Sequence, residues 1–277
     1  QRPPRLFSAE WVRSSGGLGP APQNPAERFP EIYQANTSAP PWDPDRGAHD
    51  GSTGYGLRNW GDWFQPNHWM KAGYGSAWWN NYYDSIFKQA LAYVLGGEPT
   101  RYEQGEVAAT HYMDIDVCHA RAGNPEQVGG DYMLSFDHTG TLANTGTRPA
   151  VLGLAVFGLL GADADMLDTV GLQADRVARV ARESATTMVF RGCAPRCVAF
   201  PLATLMDAYR IAPKPEYLEA ARLLLDRAAE STDPRRGAQL GCGGPTYFSI
   251  GHSEGQVGWA LYDYYRATGE EWAALRL

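Results

Sequence analysis

The sequence predicts an all-α protein made of antiparallel helical hairpins, on two observations. From Ser85 onward, apolar residues recur at helical spacing, and short turns rich in Gly, Pro and acidic residues interrupt them. A similar junction occurs four times, with an aromatic residue near each helix end (Tyr93, Phe157, Tyr209 and Tyr265) at intervals of 64, 52 and 56 residues. One hairpin cannot bury its own apolar face, so such a repeat indicates hairpins that stack on one another.

The first junction shows the pattern most clearly. A helix is expected over Ser85–Leu95, a stop at Gly96-Gly97-Glu98-Pro99, and a return helix over Arg101–Val117. Long inserts, residues 118–147 and 231–251, fall on the side opposite the short turns. Loops on such a face carry function. A ring of hairpins would gather these inserts around one cleft, whereas the alternative, a linear α-solenoid, would expose them along a groove.

The first part of the chain has a different character. Residues 1–50 are rich in Pro, Gly and polar residues, which predicts an extended wrapping segment and leaves residues 51–277 as the helical domain. Residues 51–83 are irregular and crowded with aromatic rings, in a chain with 9 Trp and 15 Tyr. Such rings offer flat apolar faces with a polar edge. Sugar rings have a C–H face and a hydroxyl rim, so the pattern favours carbohydrate binding.

Composition excludes several classes of partner. A net charge of −7 argues against nucleic acid, whose phosphates need a positive face. No apolar run reaches the length of a membrane span, so no membrane partner is expected. The chain starts at Gln1 rather than Met, which indicates a processed or excised chain that has already lost any export signal. A secreted or periplasmic location is therefore expected.

The four cysteines leave their pairing open. Cys193 and Cys197 are close enough in sequence for a small disulfide loop, and Cys118 and Cys242 either form a second bridge or stay free. An even count fits an oxidising compartment. Zinc is the alternative, but neither a CxxC pair nor a histidine at ligand spacing supports it. No metal is expected.

Polar clusters occur in four regions, each at a boundary between loop and helix: residues 55–63 with 78–84, residues 111–119, residues 131–140 with Arg148, and residues 243–255. Helical spacing places His111 and Asp114 on one face. His119 follows the end of that helix, and His138 lies in a Gly-bounded loop. His252 precedes an apolar helix, where it or Ser253 is a candidate N-cap.

Short segments in these clusters carry a resemblance to a known family: Arg58-Asn59-Trp60-Gly61-Asp62-Trp63, Trp79-Asn80-Asn81-Tyr82-Tyr83-Asp84, Asp114-Ile115-Asp116, His119, His138-Thr139-Gly140 and Gly251-His252-Ser253. At these positions the chain resembles the α/α-toroid domain of the exo-acting rhamnogalacturonan lyases, in which a RIFT-type β-barrel precedes the toroid. The four junctions are fewer than a six-hairpin ring needs, so a partial toroid is expected. No β-rich segment stands before residue 50, so a β-barrel domain or partner chain would have to supply that part.

The resemblance implies β-elimination at a uronic acid. The proton α to a carboxylate is weakly acidic until the carboxylate charge is neutralised, so a lyase needs a neutralising group, a base and an acid. The implied residues are Arg58 or Arg148 for neutralisation with Asn80 and Asn81, His138 or His119 as base, Tyr132 or Tyr82 as acid, Trp60, Trp63 and Trp79 as a stacking floor, and His252 at the substrate. The implied ligand is an acidic polysaccharide or oligosaccharide.

Two alternatives stay open. A glycoside hydrolase would need two carboxylic acids, and the candidates are Asp62, Asp114, Asp116, Asp137 and Glu254. A non-catalytic glycan-binding toroid of a larger protein would bind sugar without turnover. No cofactor is expected; calcium is the alternative, because a hard cation held by oxygens can neutralise a substrate carboxylate.

Overall fold

The computed structural model describes residues 7–15, 64–65, 77–78, 84–131, 151–191, 196–230 and 251–274. Within these ranges the chain is mostly helical, which confirms the all-α class. The helices are α1 (Ala9–Ser15), α2 (Ser85–Gly96), α3 (Pro99–His111), α4 (Leu152–Gly161), α5 (Ala164–Arg191), α6 (Arg196–Ile211), α7 (Pro215–Glu230), α8 (Gly251–Thr268) and α9 (Glu271–Ala274). The shorter elements are strands β1 (Phe64–Gln65) and β2 (Ala77–Trp78), a π-helical turn (Tyr112–Asp116) and a 3-10 turn (Pro125–Gln127).

The described residues belong to two compact units. The first contains residues 7–15, 64–65, 77–78, 84–116 and 153–167. The second contains residues 117–131, 151–152, 168–191, 196–230 and 251–274. Each unit is held together by its own helix contacts.

The four predicted junctions are confirmed as short turns between consecutive helices. At the first and last of them a glycine ends the helix. The N–H of Gly97 donates to the carbonyl of Tyr93, and that of Gly269 to the carbonyl of Tyr265, each at 2.7 Å. Both glycines have positive φ, 75° and 70°, a conformation that a residue without Cβ adopts at little cost. The same local chemistry therefore ends α2 and α8.

The four aromatic anchors differ in burial. Tyr93 and Phe157 are buried, whereas Tyr209 and Tyr265 are half-buried. At the last junction the preceding residue, Tyr264, takes the buried position. The helix face that packs is therefore shifted by one residue there.

In the first unit, α2 and α3 form a hairpin that α4 covers. The rings of Tyr93 and Tyr102 meet edge-on at 5.3 Å, and Tyr102 lies 5.4 Å from Phe157 of α4. A Cβ at Gly105 would lie 2.1 Å from the Phe157 ring. Only glycine at that position lets α4 approach α3 this closely.

Asp84, the last residue of the aromatic segment 79–84, accepts hydrogen bonds from the N-terminal turns of two helices. Its Oδ1 accepts from the N–H of Phe87 at 3.0 Å, and its two carboxylate oxygens accept from the N–H of Gly153 at 3.3 and 3.1 Å. Capping carboxylates satisfy amides that have no partner within the first helical turn. One side chain thus anchors the N-termini of both α2 and α4, which gives this motif residue a structural role.

Replacing Asp84 with alanine should lower the free energy of unfolding by about 2 kcal/mol, because two helix N-termini lose their acceptor. Asp163 is the matched control, since its Oδ1 accepts from the N–H of Met166 alone, at 3.1 Å. Asp163→Ala should cost about 1 kcal/mol. Urea unfolding of the two variants measures the difference; equal losses would contradict the double-cap account.

The structure differs from the sequence expectation near the N-terminus, where residues 9–15 form α1 instead of an extended segment. Ser8 Oγ accepts from the N–H of Trp11 at 3.1 Å and so caps the helix. Ala9 and Val12 are buried. Arg13 donates to the carbonyl of Leu95 at 3.0 Å, at the C-terminal end of α2. A short amphipathic face and one cap are enough to order this segment against α2.

In the second unit, α6 packs against both α7 and α8, and α8 against α9. A polar cluster joins α5 to α7. Tyr217 Oη donates to Asp175 Oδ1 at 2.7 Å, and Lys214 Nζ donates to the same oxygen at 2.7 Å. Another cluster joins α7 to the last turn, where the Arg222 guanidinium lies 4.4 Å from the Trp272 ring centre and pairs with Glu270. None of the helices in the described ranges is long and apolar enough to cross a membrane.

The second unit should lose stability at high pH. Burial, with the Asp175 carboxylate beside it, raises the pKa of Tyr217 from 10.0 to about 12. A raised folded-state pKa means that the contribution is complete below pH 10 and is lost as pH rises from 10 to 12, because the unfolded chain releases the proton first. Tyr217→Phe removes this titration, so its stability deficit relative to the unmodified chain should shrink over that window. Chemical unfolding at pH 9 and pH 11.5 checks this; a constant deficit would contradict it.

Candidate functional site

His119 is the one predicted catalytic residue whose side chain lies within the described ranges, and it is exposed. His252 lies in the first turn of α8, which begins at Gly251, so neither it nor Ser253 is at the N-cap position. The other predicted site residues fall outside the described residues: Arg58, Trp60, Trp63, Trp79, Asn80, Asn81, Tyr82, Tyr132, His138 and Arg148.

Two short strands adjoin, in the sequence, the aromatic segments that the sequence assigns to sugar binding. β1 and β2 pair antiparallel, with Phe64 opposite Trp78 and Gln65 opposite Ala77. Residues 58–63 run directly into β1, and residues 79–84 directly follow β2. The pairing brings the backbones of Phe64–Gln65 and Ala77–Trp78 together in the first unit.

His119 belongs to a loop of residues 117–131, the His119 loop, which is closed at its base. Val117 and Asp131 form an antiparallel bridge. The N–H of Cys118 donates to the carbonyl of Gly130, and the N–H of Gly129 donates to the carbonyl of Cys118, both at 2.8 Å. The base residues are buried, and Cys118 carries a free thiol. Of the two alternatives left open for Cys118, the structure has the free form.

Two arginines of α5 donate hydrogen bonds to the backbone of the His119 loop. Arg176 is only 4% exposed, and its Nε donates to the carbonyl of Glu126 at 3.4 Å. Arg179 donates to the same carbonyl at 2.7 Å. Gly129 has φ 81°, and a Cβ there would lie 2.5 Å from the carbonyl oxygen of Leu172. The loop backbone therefore lies directly on the backbone of α5.

Arg176 and Arg179, which both donate to the carbonyl of Glu126, form a clamp beneath the loop. The buried end of this clamp, at Arg176, is charged. Burial lowers the pKa of Arg176, and the nearby Asp131 carboxylate acts in the opposite direction. Asp131 is itself buried. A buried cation needs a counter-charge and hydrogen bonds to remain in place. Asp131 supplies a nearby negative charge, and the carbonyl of Glu126 accepts a hydrogen bond. Both charges are therefore buried where the His119 loop meets α5.

The outer part of the loop presents a histidine and an arginine to solvent. His119 and Arg121 are both exposed, two residues apart, ahead of a turn in which the N–H of Asn124 donates to the carbonyl of Arg121 at 3.2 Å. Sequence reasoning missed Arg121. A cation two residues from the candidate base within the same insert was the signal that could have identified it.

The helix that leads into the loop ends in a π turn. The sequence expectation pairs His111 with Asp114, but Asp114 is exposed and Asp116 is the partner, with His111 Nε2 3.7 Å from Asp116 Oδ1. A π turn has five-residue hydrogen-bond spacing, which brings residues five apart onto one side. Asp116 is 1% exposed. The first acid after the helix therefore faces solvent, and the second is part of a buried pair.

Within the described ranges, no group of three or more His, Cys, Asp or Glu side chains is placed to hold a metal ion. Comparison with protein-family models, characterised proteins and solved structures gives no match. The chemistry that this site can perform is therefore argued from its residues. An exposed imidazole can act as a general base, and a guanidinium two residues away can bind a carboxylate.

Proposed function

We propose that this protein is a polysaccharide lyase that cleaves uronate-containing polysaccharide, of the rhamnogalacturonan type, by β-elimination. The observation that carries the proposal is the His119 loop, which exposes a histidine and an arginine on a backbone held by a buried clamp. Catalytic groups need fixed positions relative to the reacting atoms. A clamped loop supplies such a position, whereas a merely solvated histidine would not need one.

Elimination at a uronate would use these groups as follows. The base, His119 or His138, removes the proton on the carbon next to the carboxylate. The electron pair forms a carbon–carbon double bond, the glycosidic carbon–oxygen bond breaks, and the leaving oxygen takes a proton from an acid such as Tyr132 or Tyr82. Arg121 joins Arg58 and Arg148 as a candidate that binds the carboxylate and makes that proton more acidic.

Sugar binding is assigned to the aromatic segments. Trp60, Trp63 and Trp79 are the proposed stacking residues, with Asn80, Asn81, Tyr82 and His252 as polar contacts. Support comes from the pairing of β1 with β2, the strands that adjoin these two segments in the sequence. We also propose that the helical hairpins form a partial α/α toroid, supported by the four short helix–helix junctions. A polysaccharide substrate fits a secreted or periplasmic location, with a β-barrel domain or partner chain alongside.

A glycoside hydrolase is less well supported. It needs two carboxylic acids that both reach the scissile bond. Of the candidate acids that the structure describes with side chains, Asp114 is exposed but Asp116 is buried against His111. These two acids therefore do not form a catalytic pair.

The proposal is tested by incubating the full chain with rhamnogalacturonan and other uronate polysaccharides while following ultraviolet absorbance. Unsaturated uronates absorb, so a rise supports elimination. New reducing ends without absorbance would favour the hydrolase, and saturable binding without either product would favour the non-catalytic glycan-binding toroid. Heat-treated protein serves as the control for adventitious absorbance, and a parallel series with calcium and with chelator tests metal dependence.

A further inference from the structure

Helix α8 has a row of exposed side chains, the α8 stripe, that has no role in the catalysis proposed for the His119 loop. Its inner face, with Ala260, Leu261 and Tyr264, is buried. On the other side, Trp259 is 46% and Tyr262 38% exposed, and Arg266 is exposed one turn further on. Spacings of three and four residues place these side chains on one face. Two large aromatic rings and a guanidinium thus face solvent in a row.

Contacts along the stripe orient the arginine. Arg266 Nη1 donates to Tyr262 Oη at 3.2 Å, and the guanidinium carbon lies 5.9 Å from the centre of the Tyr262 ring. The guanidinium therefore lies over the Tyr262 ring, towards its hydroxyl group. A guanidinium has five N–H donors in a fork that matches a carboxylate, so one bond to Tyr262 leaves donors for a ligand.

The acidic residue next to this stripe has a mostly buried side chain. Asp263 has a side chain only 14% exposed and lies 3.7 Å from Arg210 Nη1 of α6. The charges of both Arg210 and Arg266 act on this carboxylate. The exposed charge beside the two rings is the positive one of Arg266, on a protein whose net charge is −7.

We propose that Trp259, Tyr262 and Arg266 form a binding site for an acidic oligosaccharide, separate from the His119 loop. The C–H face of a sugar would stack on Trp259, and a uronate carboxylate would bind Arg266. The choice of a uronate rests on the proposed function, but the location of the site rests on the α8 stripe alone. Such a site would hold a polymer on the protein between cleavage events.

The test follows the indole N–H resonances of the full, nitrogen-labelled chain by NMR while trigalacturonate is added. The His119→Ala background is used so that the probe is not consumed, Trp259→Phe assigns the Trp259 resonance, and Trp11→Phe assigns that of Trp11. Trp11 is the matched control, because it is 53% exposed and stacks on Phe7. The Trp259 resonance should shift saturably while that of Trp11 stays in place.

Arg266→Gln should weaken the apparent affinity at Trp259 about tenfold, the loss expected for one charge-assisted hydrogen bond, and neutral cellotriose should bind far more weakly than trigalacturonate. A stationary Trp259 resonance, or an equal affinity after Arg266→Gln, would overturn the proposal. A shift that depends on protein concentration without sugar would assign the stripe to a second copy and also overturn it. Absorbance separates the two proposals: binding at Trp259 without unsaturated product in the unmodified chain retains this site and removes the lyase function.

Discussion

Replacing His119 with alanine should lower turnover of a uronate polysaccharide by about 10²–10⁴-fold, the contribution typical of a general base. The structure gives a physical reason: His119 is exposed on a loop whose base is bridged and whose underside is fixed to α5. The loss should fall on kcat, because a base acts in the transition state and contributes little to ground-state binding. Steady-state kinetics by absorbance, across a range of pH, measures both constants and the acidic limb of the pH profile.

Two further variants serve as a control for that result and as a test of the other candidate base. Ala122→Ser, on the same exposed part of the loop, should leave kcat and the pH profile close to those of the unmodified chain. His138→Ala tests the other candidate base. If His138→Ala removes turnover and His119→Ala does not, His119 is not the base, and the assignment made from the clamped loop is wrong.

Replacing Arg176 with leucine should lower the free energy of unfolding by about 3–5 kcal/mol, because it removes a positive charge that acts on the buried Asp131 carboxylate. The loop would also lose the hydrogen bond from Arg176 Nε to the carbonyl of Glu126. Denaturant unfolding of the purified chain gives the difference in stability, and hydrogen exchange at residues 117–131 reports whether the loop opens first.

Arg179→Leu is the matched control for the Arg176 variant. It removes a second hydrogen bond to the same carbonyl, of 2.7 Å, but from a side chain that is partly exposed. Solvent can replace that donor, so the expected loss is under about 1 kcal/mol. Equal losses in the two variants would contradict the view that the buried charge of Arg176 is what holds the loop.

The helix boundaries were the most predictable part of the fold. Gly97 directly follows the last residue of α2 and precedes Glu-Pro, and Gly269 directly follows the last residue of α8 and precedes Glu-Glu. Both glycines adopt the left-handed conformation that ends a helix. Such signals are local, since they depend on the backbone freedom of one residue. The extended prediction for residues 9–15 was wrong because a single serine cap and docking against α2 order a segment that is too short to show a period.

The geometry at the end of α3 was harder to predict because it departs from the regular helical period. Spacing rules for an α-helix pair His111 with Asp114, but the π turn pairs it with Asp116. A single widened turn changes which residues share a face without changing the composition of the segment. Sequence reasoning therefore identified the acidic segment but paired His111 with Asp114 instead of Asp116.

The clamp beneath the His119 loop could not be predicted from the sequence. Arg176 lies in a long amphipathic helix, where an arginine is ordinarily solvated. Its burial depends on residues 126–131 folding back onto α5 from about fifty positions earlier in the chain. The pair Gly129-Gly130 indicates that another backbone segment lies close to this loop. Nothing in the sequence indicates which helix that segment belongs to.

The central claim is that this protein breaks a glycosidic bond by elimination, and digestion in heavy-oxygen water tests it most directly. Elimination adds no water across the broken bond, whereas hydrolysis places one solvent oxygen in a product. The chain would be incubated with rhamnogalacturonan in that solvent and the oligosaccharides analysed by mass spectrometry. Unsaturated fragments without heavy oxygen are the predicted result. Saturated fragments that carry heavy oxygen would contradict the proposed function.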